Sequence, residues 1–111
     1  MENFLVFIEE NLSRLVQEEQ RLIASERKDE ANLIRIQSNV YGIGRSLYEV
    51  AEKQMPGNPK EFVLQRITGL KETWEGNYKR VKQYNDVEKI LVEETKLHTL
   101  NSILQWILAA E

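Results

Sequence analysis

Apolar residues recur along the chain at steps of three and four, the spacing of an amphipathic helix. The first apolar stripe predicts a helix that ends near residues 24–27, and it consists of Leu5, Ile8, Leu12, Leu15, Leu22 and Ile23. The second stripe predicts a helix that runs up to Pro56, and it consists of Leu33, Ile36, Val40, Leu47, Ala51 and Met55. Asp29 lies just ahead of this second stripe and is a residue type that favours the helix N-cap.

A strong break follows at residues 56–59, which read Pro-Gly-Asn-Pro. Proline cannot continue a helix and glycine adds conformational freedom, so this central segment predicts a turn. Asn58, Pro59 and Glu61 then match an N-cap, a first helical position and a capping-box acid. A third helix is therefore expected to begin at Pro59, capped by the Asn58 side chain.

Two further stripes follow the central turn. The stripe of the third helix consists of Val63, Ile67, Leu70, Trp74, Tyr78 and Val81. Asp86 and Glu88 repeat a capping pattern ahead of a fourth helix, which is expected from about Val87 to Ala110. Its stripe consists of Val87, Ile90, Leu91, Leu97, Leu100, Leu104 and Leu108.

These elements predict an all-α fold, a four-helix antiparallel up-down bundle, with residues 1–111 as one helical domain. A rival architecture stays open, because residues 25–30 and 83–86 contain neither glycine nor proline. In the rival, each half of the chain is one long helix, and the resulting hairpin dimerises into a four-helix bundle. The consecutive charged residues 26–30, which interrupt the apolar pattern, favour four separate helices.

Composition narrows the classes of function. The net charge is −3, and 41% of the residues are hydrophobic and 30% charged, as in a folded globular domain. The single short basic run, at residues 79–82, has no interleaved aromatic residues, so nucleic-acid binding is not expected. There is no cysteine, no apolar run long enough to span a membrane and no signal-peptide pattern. We therefore expect a cytoplasmic protein that does not bind membranes.

Catalytic constellations are not visible in the sequence. The only histidine, His98, shares a helix face with Glu94, and a third metal ligand is not apparent. We expect this pair to be structural, and we expect no enzyme activity, metal or cofactor.

One alternative function is the binding of a small ligand inside the bundle. Gly44 lies in the middle of the second helix, where glycine is unfavourable and leaves space beside a bulky neighbour. Tyr41, Trp74 and Tyr78 are aromatic residues near the middle of the chain. Together these four residues predict a candidate pocket near Gly44 and Trp74.

The preferred function is an interaction or regulatory module that works through self-association or through partner helices. Val6 and Phe7 project away from the stripe of the first helix, and Trp106 projects away from that of the fourth. An up-down bundle places these residues at the same end, where they would form an apolar surface patch. We therefore expect a homodimer with Val6, Phe7 and Trp106 at its interface.

Overall fold

The computed structural model describes residues 1–110, and four α-helices follow one another in this part of the chain. They are α1 Phe4–Ala24, α2 Lys28–Gln54, α3 Pro59–Lys82 and α4 Val87–Ala109. Their mutual contacts are those of a four-helix bundle, so the predicted all-α bundle is confirmed.

The rival long-helix hairpin is wrong, because the chain turns at both of the undecided boundaries. Glu26 has a φ of 58° and Asn85 a φ of 53°, values that end a helix. After α1, the backbone N–H of Arg27 donates to the carbonyl of Leu22 at 2.8 Å, and that of Glu26 donates to Ile23 at 3.0 Å. This is a Schellman motif with glutamate in the left-handed position where glycine is usual.

The helix starts follow the predicted caps in two cases of three. The Asn58 side chain accepts from the Glu61 backbone N–H at 3.4 Å and donates to the Glu61 carboxylate at 2.9 Å. The Asp86 carboxylate accepts from the backbone N–H of Lys89 at 3.2 Å. The third prediction is wrong, because α2 begins at Lys28 and places Asp29 within its first turn.

The core is built from the first halves of α1 and α3 and the second halves of α2 and α4. These halves meet at one end of the bundle, the closed end, which holds both the start of α1 and the end of α4. The buried core residues are Phe4, Ile8, Leu15, Val40, Tyr41, Ala51, Phe62, Val63, Ile67, Trp74, Leu100, Ile103 and Ile107, of which Leu15 and Trp74 lie past the midpoints of α1 and α3. Phe4, Ile103 and Ile107 lie outside the predicted stripes, so the buried faces of α1 and α4 are rotated relative to the prediction.

Helix α2 is the central element of the bundle. It packs along α1, and it packs more extensively on α4 than on α3. A Cβ atom at Gly44 would lie 3.3 Å from the Cδ1 of Ile8 and 3.6 Å from the Cδ1 of Ile103. The missing side chain therefore allows α1 and α4 to approach α2 closely. The whole molecule measures 45 × 34 × 22 Å, so it is flattened to about two helix diameters in its thinnest direction.

Candidate functional site

The chain-end surface, defined by Val6, Phe7 and Trp106, is the predicted interface. The rings of Phe7 and Trp106 stack with centroids 4.7 Å apart and planes 15° apart. Trp106 also contacts the fully buried Phe4, at a centroid distance of 5.8 Å. Sequence reasoning placed α1 and α4 together at this end, and the ring contacts agree with that placement.

We expected Phe7 and Trp106 to be exposed, because they project away from the apolar stripes of their helices. This expectation is wrong, since both rings are already partly buried within a single chain. The buried face of α1 centres on Phe4 and Ile8, which brings Phe7 within reach of Tyr41 at a centroid distance of 5.9 Å. Val6 differs from the two aromatic residues, since 53% of its surface is exposed. Of the three residues, Val6 offers the most free apolar surface in proportion to its size.

The two clefts described below are lined by none of the four predicted pocket residues. Gly44 is covered by Ile8, Ile103 and the ring of Phe4, which fill the space expected for a ligand. The side chains nearest to Gly44 come from α1 and α4, and not from α3, the helix that carries Trp74.

Trp74 and Tyr78 instead lie beside charged side chains of α4. The Lys96 ammonium is 4.8 Å from the centre of the Trp74 ring, a cation–π distance. The Tyr78 hydroxyl donates to the Glu94 carboxylate at 2.9 Å. Glu93 Oε2 is buried 3.2 Å from Lys96 Nζ, which is close enough for charge attraction although the geometry is not that of a hydrogen bond. These contacts tie α3 to α4.

The tyrosine hydroxyls of the predicted pocket are not activated for acid–base chemistry. Burial raises the pKa of Tyr41, and the hydrogen bond to Glu94 raises the pKa of Tyr78. A tyrosine that serves as a general base near neutral pH needs the opposite shift, towards 7. Both hydroxyls therefore stay protonated at neutral pH.

Among the described residues, no hydrogen bond joins Glu94 to His98. Glu94 instead accepts a hydrogen bond from Tyr78, and His98 is exposed. Across residues 1–110, no group of three or more His, Asp or Glu side chains is placed to hold a metal ion. In the same part of the chain, no helix combines the length and the apolar character needed to cross a membrane.

Two clefts on the surface are shallow. One of about 440 Å³ adjoins the chain-end surface and is lined by Met1, Glu2, Asn3, Trp106 and Ala110. Another, of about 510 Å³, lies on the outer side of α2 around Gly42. Neither has the enclosed apolar lining that is typical of a small-molecule site.

Two features were missed by sequence reasoning. The first is Phe4, although its spacing to Ile8, Leu15 and Leu22 is as regular as that of the stripe begun by Leu5. The second is the open surface around Gly42. Ser38 and Ser46 lie four residues before and after Gly42, so the three small residues share one face of the helix. The signal for both was periodicity, which alone does not say which of two adjacent stripes is buried.

Comparison of the chain with protein-family models, with curated protein sequences and with solved structures finds no match in any of the three.

Proposed function

We propose that the protein is a non-enzymatic helical interaction or regulatory module of the cytoplasm, which acts by self-association. The proposed interface is the chain-end surface, Val6, Phe7 and Trp106, and its occupant is the same surface of a second copy. Such an isologous contact uses every residue of the patch twice. Nucleic acid, membrane and cofactor have no part in this proposal.

The observation that carries the proposal is the large solvent-accessible surface of the folded chain. The accessible surface is 7229 Å² for a chain of 13.1 kDa. A folded monomer of this mass typically exposes about 6,400 Å². The excess of about 800 Å² is similar to what one partner buries in a specific protein interface of standard size.

The position of Val6 supports the chain-end surface as the interface. Its exposed isopropyl group lies next in sequence to the stacked pair of Phe7 and Trp106, whose rings keep part of their surface free. Stacking holds the two rings in one arrangement before any partner binds. Less side-chain entropy is then lost on association.

The experiment compares two exposed valines at opposite ends of the bundle by light scattering over a range of concentrations. Val6→Glu is expected to lower the mass of the assembly, because a charge in an apolar contact must be desolvated. Val87, at the start of α4, is 76% exposed and supplies the matched control Val87→Glu. The control is expected to leave the mass unchanged.

A parent protein that is monomeric at every concentration would contradict the proposal. An assembly that Val6→Glu and Val87→Glu affect equally would contradict the chain-end surface but not self-association. Circular dichroism of each variant verifies that the helices are intact, so that a change in mass is attributable to the interface.

The small-ligand alternative is not proposed further. It depended on space beside Gly44, and that space is filled by side chains of α1 and α4.

A further inference from the structure

The outer side of α2 is open around Gly42. No atom lies within 4 Å of the position that a Gly42 side chain would take, in contrast to Gly44, which is tightly covered. Glycine destabilises the middle of a helix relative to alanine. The packing of Gly44 explains its glycine, whereas nothing within the described residues of this chain explains Gly42.

The surface around Gly42 carries small side chains and is shallow. Ser38 and Ser46 lie one turn before and one turn after Gly42, and with it they line the cleft of about 510 Å³. Val50, at one end of this cleft, is partly exposed. Small side chains along one side of a helix allow the backbone of a second helix to approach closely. We call the surface formed by Arg35, Ser38, Gly42, Ser46 and Glu49 the α2 face.

Charges on the α2 face are arranged symmetrically about Gly42. Arg35 precedes Gly42 by seven residues and Glu49 follows it by seven. Where two identical helices cross in antiparallel orientation with a two-fold axis at Gly42, residues equidistant from it face each other. Arg35 then faces Glu49 of the second copy, and the same pair occurs again on the other side of the axis.

The neighbouring positions contain no like-charged pair in this arrangement. Ser38 faces Ser46 of the second copy, and Asn39 faces Arg45. The α2 face is therefore complementary in charge to itself, which is the property that an isologous interface needs.

Both charges of the symmetric pair are available for such a contact. Arg35 donates through Nε and Nη2 to one oxygen of Glu19, at 3.1 and 2.8 Å, and its side chain is still 58% exposed. Glu49 is exposed and forms no ion pair with another residue among residues 1–110. Val16 lies on α1 between Glu9 and Glu19, which both pair with α2, and it adds apolar surface that is 47% exposed.

We propose that the α2 face binds a second copy of this chain, with the two α2 helices antiparallel and crossing at Gly42. This inference rests on the proposed function in one respect, because both require that the protein associates with itself. It concerns the α2 face, whereas the proposed function concerns the chain-end surface. A copy that uses both the α2 face and the chain-end surface contacts two neighbours. The intact protein is then expected to form assemblies larger than a dimer.

The first test is a disulfide cross-link on the two-fold axis. The chain has no cysteine, so Gly42→Cys introduces a single thiol, and on the axis it faces its own copy. A disulfide forms where the two Cα atoms are about 4.4–6.8 Å apart. Mild oxidation of Gly42→Cys is expected to yield mostly covalent dimer.

The control for this test is Gly69→Cys, which changes another open glycine, on α3. It is expected to give only the small amount of cross-linking that random collisions produce. Equal yields from the two variants would overturn the proposed crossing point.

The second test reverses the charges of the symmetric pair. Glu49→Arg places two arginines opposite each other on both sides of the axis, and it is expected to weaken the α2 contact at least about tenfold. Adding Arg35→Glu to the same chain restores opposite charges and is expected to recover the association. A Glu49→Arg variant that associates as well as the parent, or a double variant that recovers nothing, would overturn the proposal.

Combining these changes with Val6→Glu separates this inference from the proposed function. With the α2 face present, Val6→Glu alone should leave a dimer, and adding Glu49→Arg should leave a monomer. If Val6→Glu alone is already monomeric, the chain-end surface is supported and the α2 face is contradicted. If Val6→Glu has no effect and Gly42→Cys cross-links well, the α2 face is supported and the chain-end surface is contradicted. A parent that is monomeric throughout contradicts both.

Discussion

The closed end of the bundle and its opposite end, the two hairpin tips, are held together by different interactions. At the closed end, apolar side chains of all four helices form one continuous core. The tips are the turns at residues 25–27 and 83–86 with the helix turns next to them. Between residues 75 and 98 no side chain is buried, and the α1–α2 tip buries only Leu22 and Ala31 outside the main core.

Polar contacts replace apolar packing towards the tips. Lys96 on Trp74 and Tyr78 on Glu94 link α3 to α4, and the ion pair Arg35–Glu19 links α1 to α2. A second ion pair between α1 and α2, Arg45–Glu9, lies nearer the closed end. Exposed ion pairs contribute about 0–1 kcal/mol each, less than a buried aliphatic side chain. The stability of this protein therefore depends mainly on the closed end, and local opening is expected to begin at the tips.

The largest expected difference between the two regions concerns aliphatic truncation in α4. Ile103→Ala should cost about 2–5 kcal/mol, because Ile103 is fully buried at the closed end. Leu91→Ala, on the same helix near the tip, removes a side chain that is 43% exposed and should cost less than about 1 kcal/mol. Denaturant unfolding measures both values. Similar losses at the two positions would mean that the tip is packed as firmly as the core.

A smaller difference is expected between two glycines. Gly44→Leu should overpack the closed end against Ile8 and Ile103 and cost about 1–3 kcal/mol. Gly69→Leu enters open space on α3 and should stabilise the helix by up to about 1 kcal/mol. Thermal unfolding gives the sign of each effect. A Gly44→Leu variant that melts no lower than the parent would show that the closed end is loosely packed.

The smallest expected effects are at the tips, where two residues other than glycine have positive φ. Glu26→Gly should stabilise the protein by about 1 kcal/mol, since it removes the left-handed strain of a residue with a Cβ. Asn85→Gly should give less, because asparagine adopts this conformation more readily than glutamate. Unfolding in denaturant measures the stability of both variants. A larger stabilisation by Asn85→Gly than by Glu26→Gly would contradict this account of the turns.

Local signals in the sequence were sufficient for the elements of the fold. The caps at Asn58 and Asp86 were predicted because capping joins residues only three apart. The turns at Glu26 and Asn85 were harder to predict, since neither segment contains the glycine or proline that usually marks a turn. The four helices and their order were predicted from periodicity, from the capping residues, from the proline and glycine at residues 56–59, and from the charged residues 26–30, which favoured four helices over the rival hairpin.

Tertiary structure decided which face of each helix is buried, and therefore the site. In α1, the stripes begun by Phe4 and by Leu5 are adjacent. The first is buried mainly against α2, where Phe4 contacts Tyr48, and α4 adds the contact of Trp106 with Phe4. Side chains of α1 and α4 together fill the space beside Gly44, whereas the surroundings of Gly42 stay open. Such contacts join residues far apart in sequence, and the choice between two apolar faces depends on how the helices pack together. A periodic pattern shows that one face of a helix is apolar. Whether that face is buried depends on which other helices pack against it.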